Sequence, residues 1–559
     1  MDIDRPHLDD IACPVPDRAT LDTRYAALDT LLNAMDVPGA LVAWDTLRRE
    51  NQTWATLARV HACQDTRSEV AKTENEAASA LNAAAAGHDV AFKRRLLADP
   101  DRDGLLAAVG AYTVQLWEAD IAAFDPVLAA TSEEEGRLWS RYMEILAAAR
   151  LKVDGQEVNM TSLRPYEEHL DREIRYEAAK ALYGFFGDHG AELDDIFDRL
   201  VRLRHEAALT LGYKRFTPLG YRRLRRLDYG PTEVARFRDE VVAHVVPVVA
   251  RLMEERRREQ GWEWLQAWDL PLHDPAGNPR PLAQGAGFVA AAQDVFDKLD
   301  GRLGALYRSM REGGFLDLLD RPGKALSGSC EFLPGPGMPF ILYNLGGTHA
   351  DVSVLTHEMG HAAQQHASNG LPFDQLVPTY EVAEITSMSL ELLAAPHAGL
   401  LVGEAAAARF CRVQLVTLLN TLCLCALGDN FQHEIYDRPD LTSAERHAVW
   451  SSLERRYTPW VDWGDLKHPA NGGLWHRIGH FFLEPFYFID YALAGCCALQ
   501  LRDQLQRDPQ DAIDTYISLC TRGGSMPFAA LVQSAGLRSP FESGVLAESM
   551  REVEQVLAA

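Results

Sequence analysis

The stretch that decides the fold runs from Asp351 to Ser368 and reads DVSVLTHEMGHAAQQHAS. Apolar residues recur in it at three- and four-residue spacing, which predicts a helix with one apolar face. His357 and His361 are four residues apart and so share one face of that helix, and Glu358 lies next to the first histidine. This HExxH pattern is typical of a zinc site in which the glutamate acts as a general base.

A second helix is predicted from Glu381 to Leu393 (EVAEITSMSLELL). Its acidic residues alternate with apolar ones, which indicates a helix packed on most sides that aims its carboxylates at a polar target. A catalytic zinc ion has three protein ligands and one open position. Glu384 is predicted as the third ligand, with Glu381 and Glu391 as alternatives. Either Glu391 or Asp351 could orient the zinc imidazoles through a hydrogen bond.

Composition limits the possible functions. With 559 residues, of which 47% are hydrophobic, the chain can bury a full core and would usually form more than one domain. The net charge of −25 disfavours nucleic acid and anionic membranes as partners. The first 17 residues are acidic and lack an apolar core, so no secretory signal is expected. The nine scattered cysteines favour a reducing cytoplasm over a disulfide framework.

Helical spacing dominates the chain and predicts a mainly α fold. From Leu21 to Leu203 it predicts a stack of long amphipathic helices. The apolar stretch Val413 to Leu427 is interrupted by polar residues and is interpreted as a buried helix. Three capping boxes mark predicted helix starts, at Thr66-x-x-Glu69, Ser132-x-x-Glu135 and Thr442-x-x-Glu445.

One segment departs from the helical pattern. Two short β-type runs between Leu326 and Leu345 flank Pro334 to Gly337, which predicts a hairpin-like pair just before the zinc helix. An edge strand beside a metal could bind a peptide substrate as an added strand. The alternative is a structural hairpin that covers the core.

Four segments occur in an order that resembles a known family. They are LTHEMGHAAQQHAS, EITSMSLELL, HFFLEPFYFIDYALA at His480 to Ala494, and TRGGSMPF at Thr521 to Phe528. From about residue 164 to 544 the chain resembles the thimet oligopeptidase and oligoendopeptidase F family of zinc peptidases, especially its shorter bacterial members. The resemblance implies two helical lobes around a deep substrate channel, with a small β-sheet beside the zinc helix. We expect an amino-terminal lobe at 1–163 and a catalytic region at 164–559, with lobes that share segments.

The same resemblance assigns roles at the metal. His357, His361 and Glu384 match the ligands of one zinc ion per chain, and Glu358 matches the base that activates water. Four other histidines lie near these motifs, but none forms a better i, i+4 pair beside a glutamate; they are His349, His366, His468 and His476.

His480, Tyr487 and Tyr491 fall in the segment that contacts the scissile carbonyl in this family. From the residues alone they are more typical of packed core side chains, because aromatic stripes usually are. In the animal thimet enzymes the segment is a glycine-rich loop with a different tyrosine spacing. Here it contains Pro485, with only Gly479 nearby.

The sequence therefore predicts a cytoplasmic zinc endopeptidase that cuts short oligopeptides. Two alternatives remain. One is a peptide-binding protein of the same fold without catalysis, and the other is an exopeptidase, since closure of a channel at one end is a matter of shape.

Overall fold

The computed structural model describes residues 6–11, 16–326 and 328–558, so parts of the acidic amino-terminal stretch lie outside the described residues. Helices account for 71% of the protein, which confirms the mainly α prediction. In chain order the α-helices of the described part are α1 (Arg18–Asn33), α2 (Val37–Gln64), α3 (Glu69–Leu97), α4 (Arg102–Val109), α5 (Ala111–Ala122), α6 (Ala129–Ala147), α7 (Arg164–Glu167), α8 (Arg172–Asp188), α9 (Gly190–Thr210), α10 (Phe216–Arg223), α11 (Pro231–Glu240), α12 (Val246–Glu259), α13 (Ala286–Leu299), α14 (Gly301–Glu312), α15 (Ala350–Ala367), α16 (Phe373–Leu376), α17 (Tyr380–Ala394), α18 (Gly399–Val402), α19 (Glu404–Asp437), α20 (Ser443–Tyr457), α21 (Lys467–Ala470), α22 (Gly479–Leu483), α23 (Asp490–Arg507), α24 (Pro509–Arg522), α25 (Phe528–Ser534) and α26 (Val545–Ala558). Short 3-10 helices include Gly473–Arg477 and Tyr487–Ile489, and a π-helical turn, Val241–Val245, joins α11 to α12.

Two small sheets accompany the helices. Strands β1 (Leu151–Val153) and β2 (Gln156–Val158) form a hairpin, which the sequence analysis did not predict. The second sheet has the order β3-β5-β4 and consists of β3 (Leu316–Asp317), β4 (Ser329–Leu333) and β5 (Met338–Leu342). Strands β4 and β5 are antiparallel, which confirms the predicted hairpin directly before α15, and β3 adds to β5 in parallel.

The interior divides into three main hydrophobic cores. One lies among α1 to α5. A second, the sheet core, packs the three-stranded sheet against α13, α14 and α15 and includes Phe340 and Met359. The third, the helical core, includes Phe197 and Leu422 and extends from α6 to α26. Helix α17 contributes to both the sheet core and the helical core, so it marks the boundary between them.

The proposed division after residue 163 stays a prediction. Residues 128–158 pack in the helical core together with α9, α19 and α23, so segments on both sides of the division share one core. Helix α2 also connects regions: Arg48 forms an ion pair with Asp374 (2.8 Å), just before the start of α17. These links tie the amino-terminal helices to the centre of the protein.

Helix α19 contains the predicted buried stretch. It is long and apolar enough to cross a membrane, with a mean hydropathy of 1.7 in its most apolar window, but 67% of that window is buried inside the protein. The interpretation of residues 413–427 as a buried helix is confirmed.

The predicted helix starts had mixed outcomes. Thr442 and Glu445 form the expected capping box at the start of α20. The prediction at Thr66 was wrong, because Ser68 caps α3 by accepting the Ala71 N–H (3.2 Å). The prediction at Ser132 was also wrong, because α6 continues directly from a preceding 3-10 turn and Ser132 lies inside it.

Helices α15 and α17 pack in direct backbone contact at Gly360. A Cβ atom added to Gly360 would lie 2.4 Å from Ser387 Cα and 2.5 Å from the Thr386 carbonyl oxygen. Those atoms belong to a buried backbone and cannot move away as a flexible side chain could. Glycine therefore sets the distance between the two helices that carry the predicted metal ligands.

We expect Gly360→Ala to destabilise the protein. Forcing apart a packed pair of helices costs about 1–3 kcal/mol, and this exceeds the ~1 kcal/mol that alanine gains over glycine in a helix. The matched control is Gly184→Ala in α8, where an added Cβ meets no atom within 4 Å. Thermal unfolding should show a lower Tm for the first variant only. An unchanged Tm for Gly360→Ala would mean that α15 and α17 separate easily.

Candidate active site

Three side chains with metal-ligating atoms meet between α15 and α17. The rings of His357 and His361 have centroids 4.9 Å apart and planes at 84°. Glu384 faces both rings, with Oε2 at 3.3 Å from His357 Nε2 and 3.6 Å from His361 Nε2. Ligand atoms about 2.1 Å from a tetrahedral zinc ion lie roughly 3.4 Å from one another, so these residues fit zinc.

A further carboxylate orients the first imidazole. Glu391 Oε1 lies 2.8 Å from His357 Nδ1, which directs Nε2 of the same ring towards the centre of the site. Asp351, the other candidate for this role, instead accepts the backbone N–H groups of residues 346 and 347 (3.1 and 2.7 Å). Asp351 therefore holds the loop before α15, and Glu391 orients the ring.

Glu384 is a buried carboxylate with defined partners. Ser387 Oγ donates to its Oε2 (2.8 Å), and the Tyr487 hydroxyl donates to its Oε1. Burial opposes ionisation of Glu384, but the neighbouring imidazoles outweigh burial and lower its pKa to about 2. Glu381 is also buried, but burial raises its pKa, and its neighbours are Arg226, Thr379 and Tyr229 rather than the two imidazoles. Of the two, Glu384 reaches the imidazoles, and its role as a ligand stays a prediction.

The two histidines differ in their surroundings. Burial lowers the pKa of His361 to about 4, which favours the neutral imidazole that a metal requires. Burial acts in the same direction on His357, but Glu384 and Glu391 outweigh it and raise the His357 pKa. A metal ion binding here would displace the proton that these carboxylates hold on His357.

Glu358 lies beside the metal ligands with its carboxylate free. It is 7% exposed, and a Cβ added to Gly328 would lie 4.0 Å from Glu358 Oε1, so it faces the chain entering β4. No described residue donates a hydrogen bond to it. Burial raises the pKa of Glu358 to about 7. A carboxyl group with these properties can take up and release a proton near neutral pH.

His480, Tyr487 and Tyr491 come together on the opposite wall. The two hydroxyl oxygens are 2.9 Å apart, and His480 Nε2 lies 3.3 Å from the Tyr491 hydroxyl. The two tyrosines lie in successive elements: Tyr487 begins a 3-10 turn and Tyr491 lies in α23. Burial raises the pKa of both phenols, so both remain protonated hydrogen-bond donors at neutral pH.

The segment that carries these residues is held by buried polar side chains. Phe486 has φ 68° and ψ −3°, a left-handed conformation that is uncommon for a residue with a side chain. Its N–H donates to Gln432 Oε1 (2.8 Å), and its carbonyl accepts from Arg226 Nη2 (2.7 Å). Arg226 also pairs with Asp490, and both side chains are fully buried. The sequence analysis missed this anchor, because no pattern marks a phenylalanine with positive φ.

The remaining nearby residues have structural roles. His366 Nδ1 lies 2.9 Å from the Gly337 carbonyl oxygen at the β4–β5 turn, and His349 is paired with a carboxylate at 3.4 Å. The Gly523–Gly524 loop packs on the connection between α15 and α17, where the Gly524 N–H donates to the Gln375 carbonyl (2.8 Å). None of the three joins the metal ligands.

Comparison with known families agrees with this geometry. Residues 165–277 and 291–551 match the model of peptidase family M3, and residues 8–124 match the model of the peptidase M3 N-terminal domain. The chain belongs to peptidase family M3. The resemblance inferred from the sequence motifs is therefore confirmed. The match at 8–124 covers a region of this M3 chain where the sequence analysis identified only helical character.

Individual relatives agree with the family. An oligoendopeptidase F homolog of Borreliella burgdorferi is 25% identical over 304 residues, which are 51% of this chain and 49% of the relative. The alignment thus spans about half the length of that relative.

Similar solved structures cover almost the whole M3 chain. An X-ray structure described as oligoendopeptidase F has 35% identity and a TM-score of 0.95, over 99% of both chains. PZ peptidase A with an inhibitor has 32% identity and a TM-score of 0.95, also over 99% of both. A structure described as oligoendopeptidase F from Bacillus anthracis has 30% identity and a TM-score of 0.90, over 99% and 98%. The fold class predicted from the sequence is confirmed.

We expect Glu384→Ala to abolish metal binding at this site, because the two imidazoles then lack an anionic partner. Glu391→Ala should keep the ion but bind it about 10–100-fold more weakly, because His357 loses its orienting carboxylate. Elemental analysis and titration of zinc into metal-depleted protein, followed by peptide hydrolysis, would measure both effects. If Glu384→Ala kept both the metal ion and full activity, the assignment of the third ligand would be wrong.

Proposed function

We propose that this chain is a zinc-dependent endopeptidase that hydrolyses internal peptide bonds of short oligopeptides. The observation that carries the proposal is the convergence of two imidazoles and one carboxylate beside a free buried carboxylate, Glu358. Membership of peptidase family M3 supports peptide hydrolysis in general. PZ peptidase A with an inhibitor is a similar structure, which supports a peptide as the substrate.

His357, His361 and Glu384 would hold the zinc ion. When bound, zinc supplies a Lewis acid that polarises the scissile carbonyl and acidifies a water molecule. Glu358 lies next to His357 on α15, and the wall that carries Tyr491 contacts Glu384 through the Tyr487 hydroxyl. A non-catalytic peptide-binding protein would have no need of a buried carboxylate at that position.

Glu358 would transfer the proton. Its carboxylate accepts a proton from the attacking water while the water oxygen bonds to the carbonyl carbon and the C=O π electrons move onto the carbonyl oxygen. When this oxyanion collapses, the C–N bond breaks and Glu358 gives the proton to the nitrogen of the leaving amine. Among the residues that the structure describes, none donates a hydrogen bond to Glu358, which keeps it available as an acceptor. Its raised pKa, about 7, keeps the protonated form accessible for the second step.

Tyr491 is the donor that can reach the tetrahedral oxyanion. Tyr487 has one hydroxyl proton and donates it to Glu384, so it has none left for the substrate. Tyr491 makes no bond to a ligand carboxylate; its hydroxyl neighbours are the Tyr487 phenol and the His480 imidazole, so its proton can turn from Tyr487 to the substrate without releasing a ligand. We assign oxyanion stabilisation to Tyr491 with His480 beside it, and orientation of Glu384 to Tyr487.

The outer edge of β4 is suited to bind the substrate backbone. In and directly after β5, the N–H groups of Ile341 and Tyr343 donate to backbone carbonyls on the side of β3. The residues between and beside them in β5 therefore direct their peptide groups towards β4, where their register partners are Ser329 and Glu331. The peptide groups of Cys330 therefore point away from β5. The Cys330 carbonyl has only a long contact, 3.5 Å, with a side-chain amide of α15. A peptide could add there as a further strand without a demand for particular side chains.

The proposed activity can be tested with internally quenched peptides and mass spectra of the products. Internal cuts in peptides of about five to twenty residues are expected, because at ~3.3 Å per residue such chains span a cleft of protein dimensions. Trimming from one end would indicate an exopeptidase, and no products would indicate a binding protein. A native globular protein should resist cleavage; its digestion at the rate of a short peptide would contradict the proposed size selection.

Replacement of the proposed base tests the mechanism. Glu358→Gln should retain zinc and peptide binding but lose roughly two to four powers of ten in kcat, because an amide cannot accept the proton. The matched control is Glu254→Gln on α12, whose carboxylate pairs with Arg257 and Arg258. That variant should stay within about threefold of wild type. Turnover of Glu358→Gln within the same range would refute the role of Glu358.

The two tyrosines should give different results. Tyr491→Phe should lower kcat by about a hundredfold or more, equivalent to ~2.7–4 kcal/mol, with zinc content and Tm unchanged. Tyr487→Phe should instead weaken zinc retention, because Glu384 loses a hydrogen bond from its second oxygen. Kinetics and zinc titration on both variants would measure this. If Tyr491→Phe lost stability or kept full kcat, Tyr491 would be a packing residue.

A further inference from the structure

A second group of metal-ligating side chains lies away from the candidate active site. Asp194 of α9 faces His447 of α20 and His476 of the 3-10 helix Gly473–Arg477. Asp194 Oδ1 lies 3.1 Å from His447 Nε2 and 3.0 Å from His476 Nε2. Three chain segments thus direct one carboxylate and two imidazoles at one point.

The geometry closely parallels that of the first site. The rings of His447 and His476 have centroids 5.3 Å apart and planes at 89°, compared with 4.9 Å and 84° for His357 and His361. In both groups the two Nε2 atoms converge on one carboxylate, and the three ligand atoms lie within 4.8 Å of one another. The spacing of about 3 Å between carboxylate oxygen and imidazole nitrogen is close to that of ligands around a tetrahedral zinc ion.

The negative charge of Asp194 also favours a bound cation. Its side chain is 20% exposed, and its partners among the described residues are the two imidazoles, with no arginine or lysine in contact. The His476 side chain is fully buried and packs against Trp475, with ring centroids 4.1 Å apart. A half-buried carboxylate normally pairs with a guanidinium or ammonium group or binds a metal.

We propose that Asp194, His447 and His476 form a second metal site, which takes a divalent transition-metal ion, with zinc the best fit to two nitrogen ligands and one oxygen ligand. The partial exposure of Asp194 and His447 leaves room for a water ligand and a path of entry. The ion links α9, α20 and the turn that leads within four residues to His480. This site is independent of the proposed catalytic zinc.

His468 lies next to this group but outside the ligand set. Its ring stacks on His476 with centroids 5.2 Å apart and planes at 29°, so it presents a ring face rather than a nitrogen to its neighbour. Its Nε2 is buried and has no hydrogen-bond partner among the described residues. We assign His468 a packing role.

The test counts zinc ions in the full-length protein after saturation with zinc chloride and gel filtration. Wild type should hold about two ions per chain, and Glu384→Ala and His447→Gln about one each. The double variant should hold none. Asp194→Asn provides a second, nearly isosteric variant, and His88→Gln is the matched control, because His88 pairs with a single carboxylate, Asp22 (2.7 Å), without a second histidine.

The outcomes separate the two metal sites. A wild-type protein that saturates at one ion, with none left in Glu384→Ala, overturns the second site and leaves Asp194 as a hydrogen-bonded partner of two imidazoles. A Glu384→Ala variant that keeps its full complement would instead overturn the first. If His447→Gln or Asp194→Asn loses its fold by circular dichroism, the wild-type count decides alone: about two ions support the site and one overturns it.

Discussion

The backbone contact between α15 and α17 at Gly360 is the constraint on which the candidate active site depends. The two imidazoles are on one helix and the predicted carboxylate ligand is on the other, so the interhelical distance determines whether they can share an ion. Without a side chain at position 360, the Ser387 backbone approaches directly. Ser387 in turn donates to Glu384. The residue that permits the approach therefore lies within the same five-residue motif as the two histidines.

The position of α17 explains how charged groups can be buried here. Its apolar side chains enter both the sheet core and the helical core, which leaves one stripe for Glu384 and Glu391. Burial of carboxylates is unfavourable unless each is paired. Here both act on His357, and a divalent cation would offset the remaining negative charge. The stability of this boundary between cores and its affinity for metal are therefore coupled.

Local patterns predicted most of the site, and contacts distant in sequence were the part that they missed. The helices that carry His361 and Glu384 followed from periodicity, because each helix shows its buried face within a few turns. The predicted helix start at Ser132 was wrong because the capping pattern lies inside α6, which begins before it. The group around Asp194 was not predicted, since Asp194 and His447 are 253 residues apart and only the fold brings them together.

The conformation of the wall opposite the metal ligands also depends on contacts distant in sequence, so local patterns did not predict it. Its sequence contains Pro485 where the animal thimet enzymes have a glycine-rich loop, and a proline restricts the chain before it. The next residue, Phe486, takes a left-handed conformation that costs about 1–3 kcal/mol. Two buried side chains, Arg226 and Gln432, bind its backbone and offset that cost. The tyrosines are thus held by a strained turn whose Phe486 N–H and carbonyl are both bonded to buried side chains, so this wall is organised before a substrate binds, whereas a glycine-rich loop would have to be ordered by the substrate.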